Sequence, residues 1–219
     1  MQAEGTVFII DPDPVLRESL QSFLKAMSIP SAGYASAEEF LQHWDDSQPG
    51  CLLSELFLGG MSGIDLQKKI NGGSERLPFI FISEFADVPT AVQAIQAGAV
   101  GFLTKPFSKQ TLLENLREAL KRNRQQRRKQ TAATSARQKI EALTRRESQL
   151  LEYVVKGLKN REIAENLDLS LKTVEMHRSR MMKKMRVDSV ADLIRIYLLA
   201  YPQTVENAEF FIRDLSSGE

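Results

Sequence analysis

Four residues of this 219-residue chain directly follow short apolar runs, and they are of types that work together chemically. Asp11 follows VFII, Glu55 follows CLLS, Ser83 follows FIFI and Lys105 follows GFLT, with Asp13 two residues beyond the first. If the runs are strands of one parallel sheet, two or three acids, a hydroxyl and a lysine converge at its carboxyl edge, where open α/β sheets place ligands and chemistry. A second set falls on a helix. At 100° per residue, Lys172, Thr173, Glu175, Met176, Ser179, Arg180 and Lys183 share one face, opposite Val174, Met181 and Met185. That face is polar and net positive. Lysine and arginine suit phosphates, Glu175 can accept from a cytosine amino group, and Met176 can touch a thymine methyl. His177 lies at the flank, as a phosphate contact or as a cap on the core. The methionine stripe is expected to be packing.

The elements that must position these groups are legible as patterns. Thr6–Ile10, Ala32–Ala35, Cys51–Leu56, Pro78–Ile82 and Val100–Leu103 are strand-like runs. Between them lie helical segments: Val15–Ala26; one opened by a capping box at Ser36 and Glu39 with Phe40, Leu41 and Trp44; Ser62–Ile70; Val88–Ala97; and Ser108–Leu120. Five alternations predict a doubly wound parallel sheet covered on both faces. Lys121–Arg128 (KRNRQQRR) has no apolar stripe and is made of good helix formers. It is expected to extend the preceding helix as a solvated rod, with Thr131–Ser135 favouring a break. A capping box at Thr144 and Glu147 then opens a helix closed by Gly157, followed by Asn160–Leu167, a turn at Asp168-Leu169-Ser170, Thr173–Met185 and Val190–Ala200. Two helices joined by a short turn, the second basic, form a helix-turn-helix. The expected organisation is an α/β domain over 1–120, a basic linker over 121–141, an all-α four-helix domain over 142–201, and an extension over 202–219. In the extension Val205, Ala208, Ile212 and Leu215 keep helical spacing.

Composition narrows the function. Hydrophobic residues are 42% and charged residues 26% of the chain, ordinary for a soluble globular protein. No apolar run approaches the ~20 residues of a membrane span, and no signal peptide is visible, so a cytoplasmic protein is expected. The single cysteine, Cys51, excludes a disulfide framework or multi-cysteine metal site, and reads as a small core residue. His43 and His177 are the only histidines. With no plausible nucleophile–base pair, no enzyme activity is expected. The net charge of +1 conceals an asymmetry: −7 over 1–116, +9 over 117–146, +2 over 147–201 and −3 over 202–219. The second half alone therefore suits a polyanion.

Two resemblances sharpen this. VFIIDPDP, LLSELFLGGMSG, FIFISEF and AGAVGFLTKPF, in that order, resemble the receiver domain of response regulators, a flavodoxin-like fold. The resemblance implies that an acidic pair binds Mg²⁺, that an aspartate after the third strand takes a phosphoryl group from a sensor histidine kinase, that Ser83 and Lys105 contact its oxygens, and that Phe102 reports the change. LTRRESQLLEYVVKGLKNREIAENLDLSLKTVEMHRSRMMKKM resembles the LuxR-type helix-turn-helix. Together they resemble a NarL/FixJ-class regulator. This implies transcription control by a homodimer on two half-sites of double-stranded DNA, with Leu193, Ile194 and Tyr197 as dimerisation candidates or core-closing residues.

The receiver pattern departs at its chemistry. Glu55 stands where the phosphoacceptor aspartate is expected, and Pro12 stands at the second acid. Leu58-Gly59-Gly60 lacks the usual proline. An extra methylene moves a nucleophile by over an ångström, and misplacement of about 1 Å can cost ~10²-fold. Mg²⁺ tolerates misplaced ligands poorly, although weak binding through Asp11 and Asp13 stays open. The expectation is a DNA-binding regulator whose receiver is not phosphorylated. Glu55 would act either as a partial mimic of the phosphoryl charge or as a partner of Lys105. The alternatives are a conventional phosphorylation-switched regulator, or an adaptor that heterodimerises with another regulator.

Overall fold

The computed structural model describes residues 5–72, 77–84 and 87–206. Two compact units divide after Arg127. The first is a five-stranded parallel sheet in the order β2-β1-β3-β4-β5, from β1 (Thr6–Ile10), β2 (Ser31–Tyr34), β3 (Gly50–Glu55), β4 (Phe79–Ser83) and β5 (Gly101–Thr104). Between and after them run α1 (Pro14–Ala26), α2 (Ala37–His43), α3 (Gly63–Asn71), α4 (Val88–Gln96) and α5 (Lys109–Glu141).

Alternation along the strands builds two cores. Phe8, Ile10, Leu52, Phe79 and Phe81 pack on one side with Phe40, Leu66, Ile70 and Ala94 of α2, α3 and α4. Val7, Ile9, Cys51, Leu53, Ile80 and Ile82 pack on the other with Leu20, Leu24, Leu112 and Leu116 of α1 and α5. Cys51 has no exposed surface, and burial pushes its thiol pKa up to about 12. It is a core residue and carries no reactive thiolate at neutral pH.

Two local expectations need correction. Ser36 caps α2 as predicted, but Glu39 does not close the box: its carboxylate accepts the Ala35 N–H, one residue upstream of the cap. More consequentially, α5 has no break at Thr131–Ser135 and runs unbroken for 33 residues. Each end is committed to a unit. Asn123, nearly fully buried, accepts the Gly50 N–H at 3.0 Å, and the Arg127 guanidinium donates to the carbonyls of Asp46 and Ser47. Ala136 and Ile140 are buried in the core of the second unit.

That second unit comprises the end of α5 with α6 (Arg145–Val155), α7 (Asn160–Leu167), α8 (Leu171–Met185), α9 (Val190–Ala200) and the short α10 (Gln203–Glu206). Its core includes Leu150, Leu151, Val154, Ile163, Val174, Met181, Met185 and Leu193. The Thr144 capping box forms in full, and Gly157 ends α6 at φ +84, a left-handed position that glycine takes without steric cost. The helical spacing expected of Ala208, Ile212 and Leu215, and the side chain of Val205, lie outside the described residues.

Candidate functional sites: a lysine-bridged acidic pocket and an exposed cationic helix face

The parallel register brings the expected pocket residues to one edge. Asp11 immediately follows β1, Glu55 and Ser83 end β3 and β4, and Lys105 immediately follows β5. Pro14 in the first turn of α1 turns the chain away just past Asp11. Gly63, at the start of α3, lets that helix approach β3: a Cβ there would stand 2.8 Å from the Glu55 carbonyl oxygen.

At the centre, Lys105 Nζ donates to Glu55 Oε2 at 2.6 Å and Asp11 Oδ2 at 2.8 Å. The remaining carboxylate oxygens are also used. Glu55 Oε1 accepts the Leu56 N–H at 2.8 Å, and Asp11 Oδ1 accepts the Asp13 N–H at 2.9 Å. Asp11 and Glu55 are both buried. Burial alone would lower the Lys105 pKa, but its hydrogen bonds and charge interactions with Asp11 and Glu55 outweigh that and raise it. Asp13 does not join the cluster. It is exposed and caps α1, accepting the Val15 N–H at 2.9 Å. Ser83 is buried, yet its Oγ has no hydrogen-bond partner. Phe102 is half-buried, its ring centroid 6.3 Å from that of Phe81.

The second site is α8. Asp168 turns the chain in the left-handed conformation at φ 51, and Ser170 caps α8 by accepting the Thr173 N–H. Val174, Met181 and Met185 have no exposed surface, as their spacing predicts. On the opposite face Lys172, Glu175, Met176, Ser179, Arg180 and Lys183 are exposed. Met176 is 41% exposed and available for contact on this face. Thr173 is only half-exposed, and its hydroxyl is engaged with Ser170 Oγ at 2.7 Å, so its first duty is the turn. His177 is half-buried at the flank.

The dimerisation candidates separate. Leu193 has no exposed surface and closes the core, so it is unavailable to a partner. Ile194 and Tyr197 stay half-buried, with Tyr197 against Tyr201 at 5.1 Å between ring centroids.

Sequence pattern passed over two cations of α8. Lys184 donates to the buried Glu147 at 2.7 Å, tying α8 to the start of α6. Arg178 donates to Asn160 Oδ1 at the start of α7. Spacing alone could have flagged Arg178, which sits in register with the core stripe.

Among the described residues no helix is long and apolar enough to cross a membrane. Residues 7–117 match the response regulator receiver domain family, and residues 141–197 match the luxR family of bacterial regulatory proteins. The chain is 39% identical over 192 residues to the response regulator protein TodT of Pseudomonas putida, spanning 88% of this chain and 85% of TodT. It is 36% identical over 194 residues to the transcriptional regulatory protein FixJ of Azorhizobium caulinodans, spanning 89% and 92%. The solved structure of the response regulator StyR superposes with a TM-score of 0.80 at 36% identity, covering 88% of this chain and 97% of StyR. The chain belongs to the NarL/FixJ family of DNA-binding two-component response regulators, with a receiver domain followed by a LuxR-type helix-turn-helix domain.

Proposed function

We propose that this regulator binds promoter DNA as a homodimer on two half-sites without aspartyl phosphorylation of its receiver. One observation carries the reading: Lys105 bridges Glu55 and Asp11, so the pocket is already closed by its own charges. The lysine that would meet a phosphoryl group has two carboxylates on it, and all four carboxylate oxygens of that pair accept hydrogen bonds. Glu55 engages Lys105 but leaves the Ser83 hydroxyl without a partner, which favours a fixed structural counter-charge over a full stand-in for a phosphoryl group.

The Mg²⁺ that the family implies does not fit these residues. Pro12 offers no side-chain oxygen, Asp13 is turned to the α1 N-terminus, and Lys105 already neutralises the two remaining acids. Among the described residues no group of three histidine, cysteine or acidic side chains could hold a metal ion. Octahedral Mg²⁺ needs well-placed oxygens, and here they are committed elsewhere. Phosphoryl transfer is mostly positioning and electrostatics, and the departures touch both.

The exposed cationic face of α8 supports DNA binding over a pure adaptor role, which needs no outward Lys172, Arg180 and Lys183. No input kinase is required, although a partner regulator or sensor protein could act on the receiver surface. The experiment is a titration of promoter duplex with and without prior incubation of the protein with acetyl phosphate and Mg²⁺. The expected result is the same affinity in both; an acetyl-phosphate-dependent gain would overturn the reading.

A further inference from the structure

Arg178 breaks the pattern of its own helix. It stands four residues after Val174 and three before Met181, so it lies in the row of α8 side chains facing the core of the unit. Val174, Met181 and Met185 in that row have no exposed surface, while Arg178 is half-buried. An arginine in such a place lays its stem on apolar neighbours and carries its head to the rim.

At the rim the guanidinium donates to Asn160 Oδ1 in the first turn of α7. That partner is neutral. Among the described residues no carboxylate lies within ion-pair distance of Arg178. A partly buried cation with only a neutral amide lacks the counter-charge such groups ordinarily have. Lys184, two turns on, shows the usual arrangement, paired with buried Glu147. The surroundings add to the deficit. Lys159 and Arg161 flank Asn160 and are exposed, and the Glu162 carboxylate is turned to the Lys159 N–H at 2.6 Å.

We infer that the missing counter-charge is a DNA phosphate, contacted by Arg178 where α7 meets α8, with Asn160 as the positioning residue that aims the guanidinium. This rests on the DNA-binding reading above. In a helix-turn-helix the first helix crosses the backbone while the second enters the major groove, so a cation at their meeting point faces phosphate. Arginine's five donors allow one N–H to stay on Asn160 while two others reach phosphate oxygens. Such a contact sets register and is sequence-independent.

The test uses the full chain, a mixed-sequence duplex of about 30 base pairs, and fluorescence anisotropy across a salt series. Wild type should show affinity falling linearly in log–log form with salt. Arg178→Met continues the methionine stripe, so its thermal midpoint should hold or rise. Its affinity should fall ~10-fold and its salt slope should shrink by ~0.9, the loss of one phosphate contact. Asn160→Asp would neutralise the guanidinium internally, and should keep the fold while lowering affinity and slope alike. If Arg178→Met folds and binds with wild-type affinity and slope, the assignment is wrong and the residue only packs. If wild type shows no salt-dependent duplex binding, the DNA-binding reading fails, and this inference fails with it.

Discussion

Glu55 and Pro12 are the two residues on which the proposed phosphorylation independence turns. Glu55 is long enough to reach Lys105 at 2.6 Å while its other oxygen stays on the Leu56 amide. Pro12 offers no side-chain oxygen beside Asp11. The lysine serves Glu55 and Asp11, and these contacts raise its pKa against the opposing effect of burial. A group whose folded pKa is raised contributes stability that is fully present below its unfolded value, near 10.4 for lysine, and is lost as pH climbs through the folded value. The Lys105 contribution is thus constant across neutral pH and fades only in strong alkali. Lys105→Met leaves two buried carboxylates facing each other without compensation. It should destabilise the receiver by about 2–3 kcal/mol at neutral pH. Urea unfolding followed through Trp44 reports it, and an unchanged midpoint would show that the ion pair does not hold the pocket.

Among the elements, α8 presents exposed cations on one side and buried core residues on the other. Its outward cations are expected to meet phosphates: Lys183→Ala should weaken binding to all duplexes alike and reduce the salt slope by about one. An unchanged slope would remove Lys183 from the interface. Its inward anchor to α6 is acid-sensitive. Burial works against the charged form of Glu147, but hydrogen bonds from Lys184 and from the Thr144 backbone and hydroxyl outweigh it and leave the pKa lowered. A lowered carboxyl pKa gives stability that is present above the unfolded value of about 4.3 and lost as pH falls through the folded value. Protection of α6 and α8 against hydrogen exchange, taken relative to the intrinsic rate at each pH, should therefore fall below about pH 4 in wild type, and be lower already at neutral pH in Glu147→Gln. Equal protection in both proteins at pH 7 would contradict this anchor. These elements were largely legible in sequence: α7 and α9 have their expected bounds, and the receiver strands shift by about one residue. Strong periodicity and capping residues make such segments readable. The Glu39 partner was not, because a side chain's choice among nearby donors depends on packing that spacing does not encode.

In the whole molecule, α5 is the element that sequence pattern misjudged. Thr131–Ser135 favours helix only weakly, by a few tenths of a kcal/mol per residue, and packing beyond the segment overrides such preferences. Ala136 and Ile140 bury in the second unit, and Asn123 and Arg127 bind the first, so helix continues through the weak stretch. What reads as a basic linker is thus divided between the two units at its ends. Ile140→Ala should cost the DNA-binding unit about 2–4 kcal/mol and leave the receiver's unfolding unchanged in calorimetry; a shift in the receiver transition alone would contradict that assignment. The pocket was legible by residue type, since four strand ends named its members. The pairing of Glu55 with Lys105 was one of its two expected readings; the added contact to Asp11 was not legible, because only the folded geometry puts Lys105 on both acids at once.

The most direct test of the account is the intact mass of the purified protein, and of Glu55→Asp, after incubation with acetyl phosphate and Mg²⁺ beside a phosphorylatable receiver. The account predicts no phosphoryl adduct on either, because Glu55→Asp restores the nucleophile while Pro12 still supplies no metal ligand. An adduct on the wild type would contradict the closed pocket outright. An adduct on Glu55→Asp alone would show that the metal site survives Pro12, and that Glu55 by itself silences the switch.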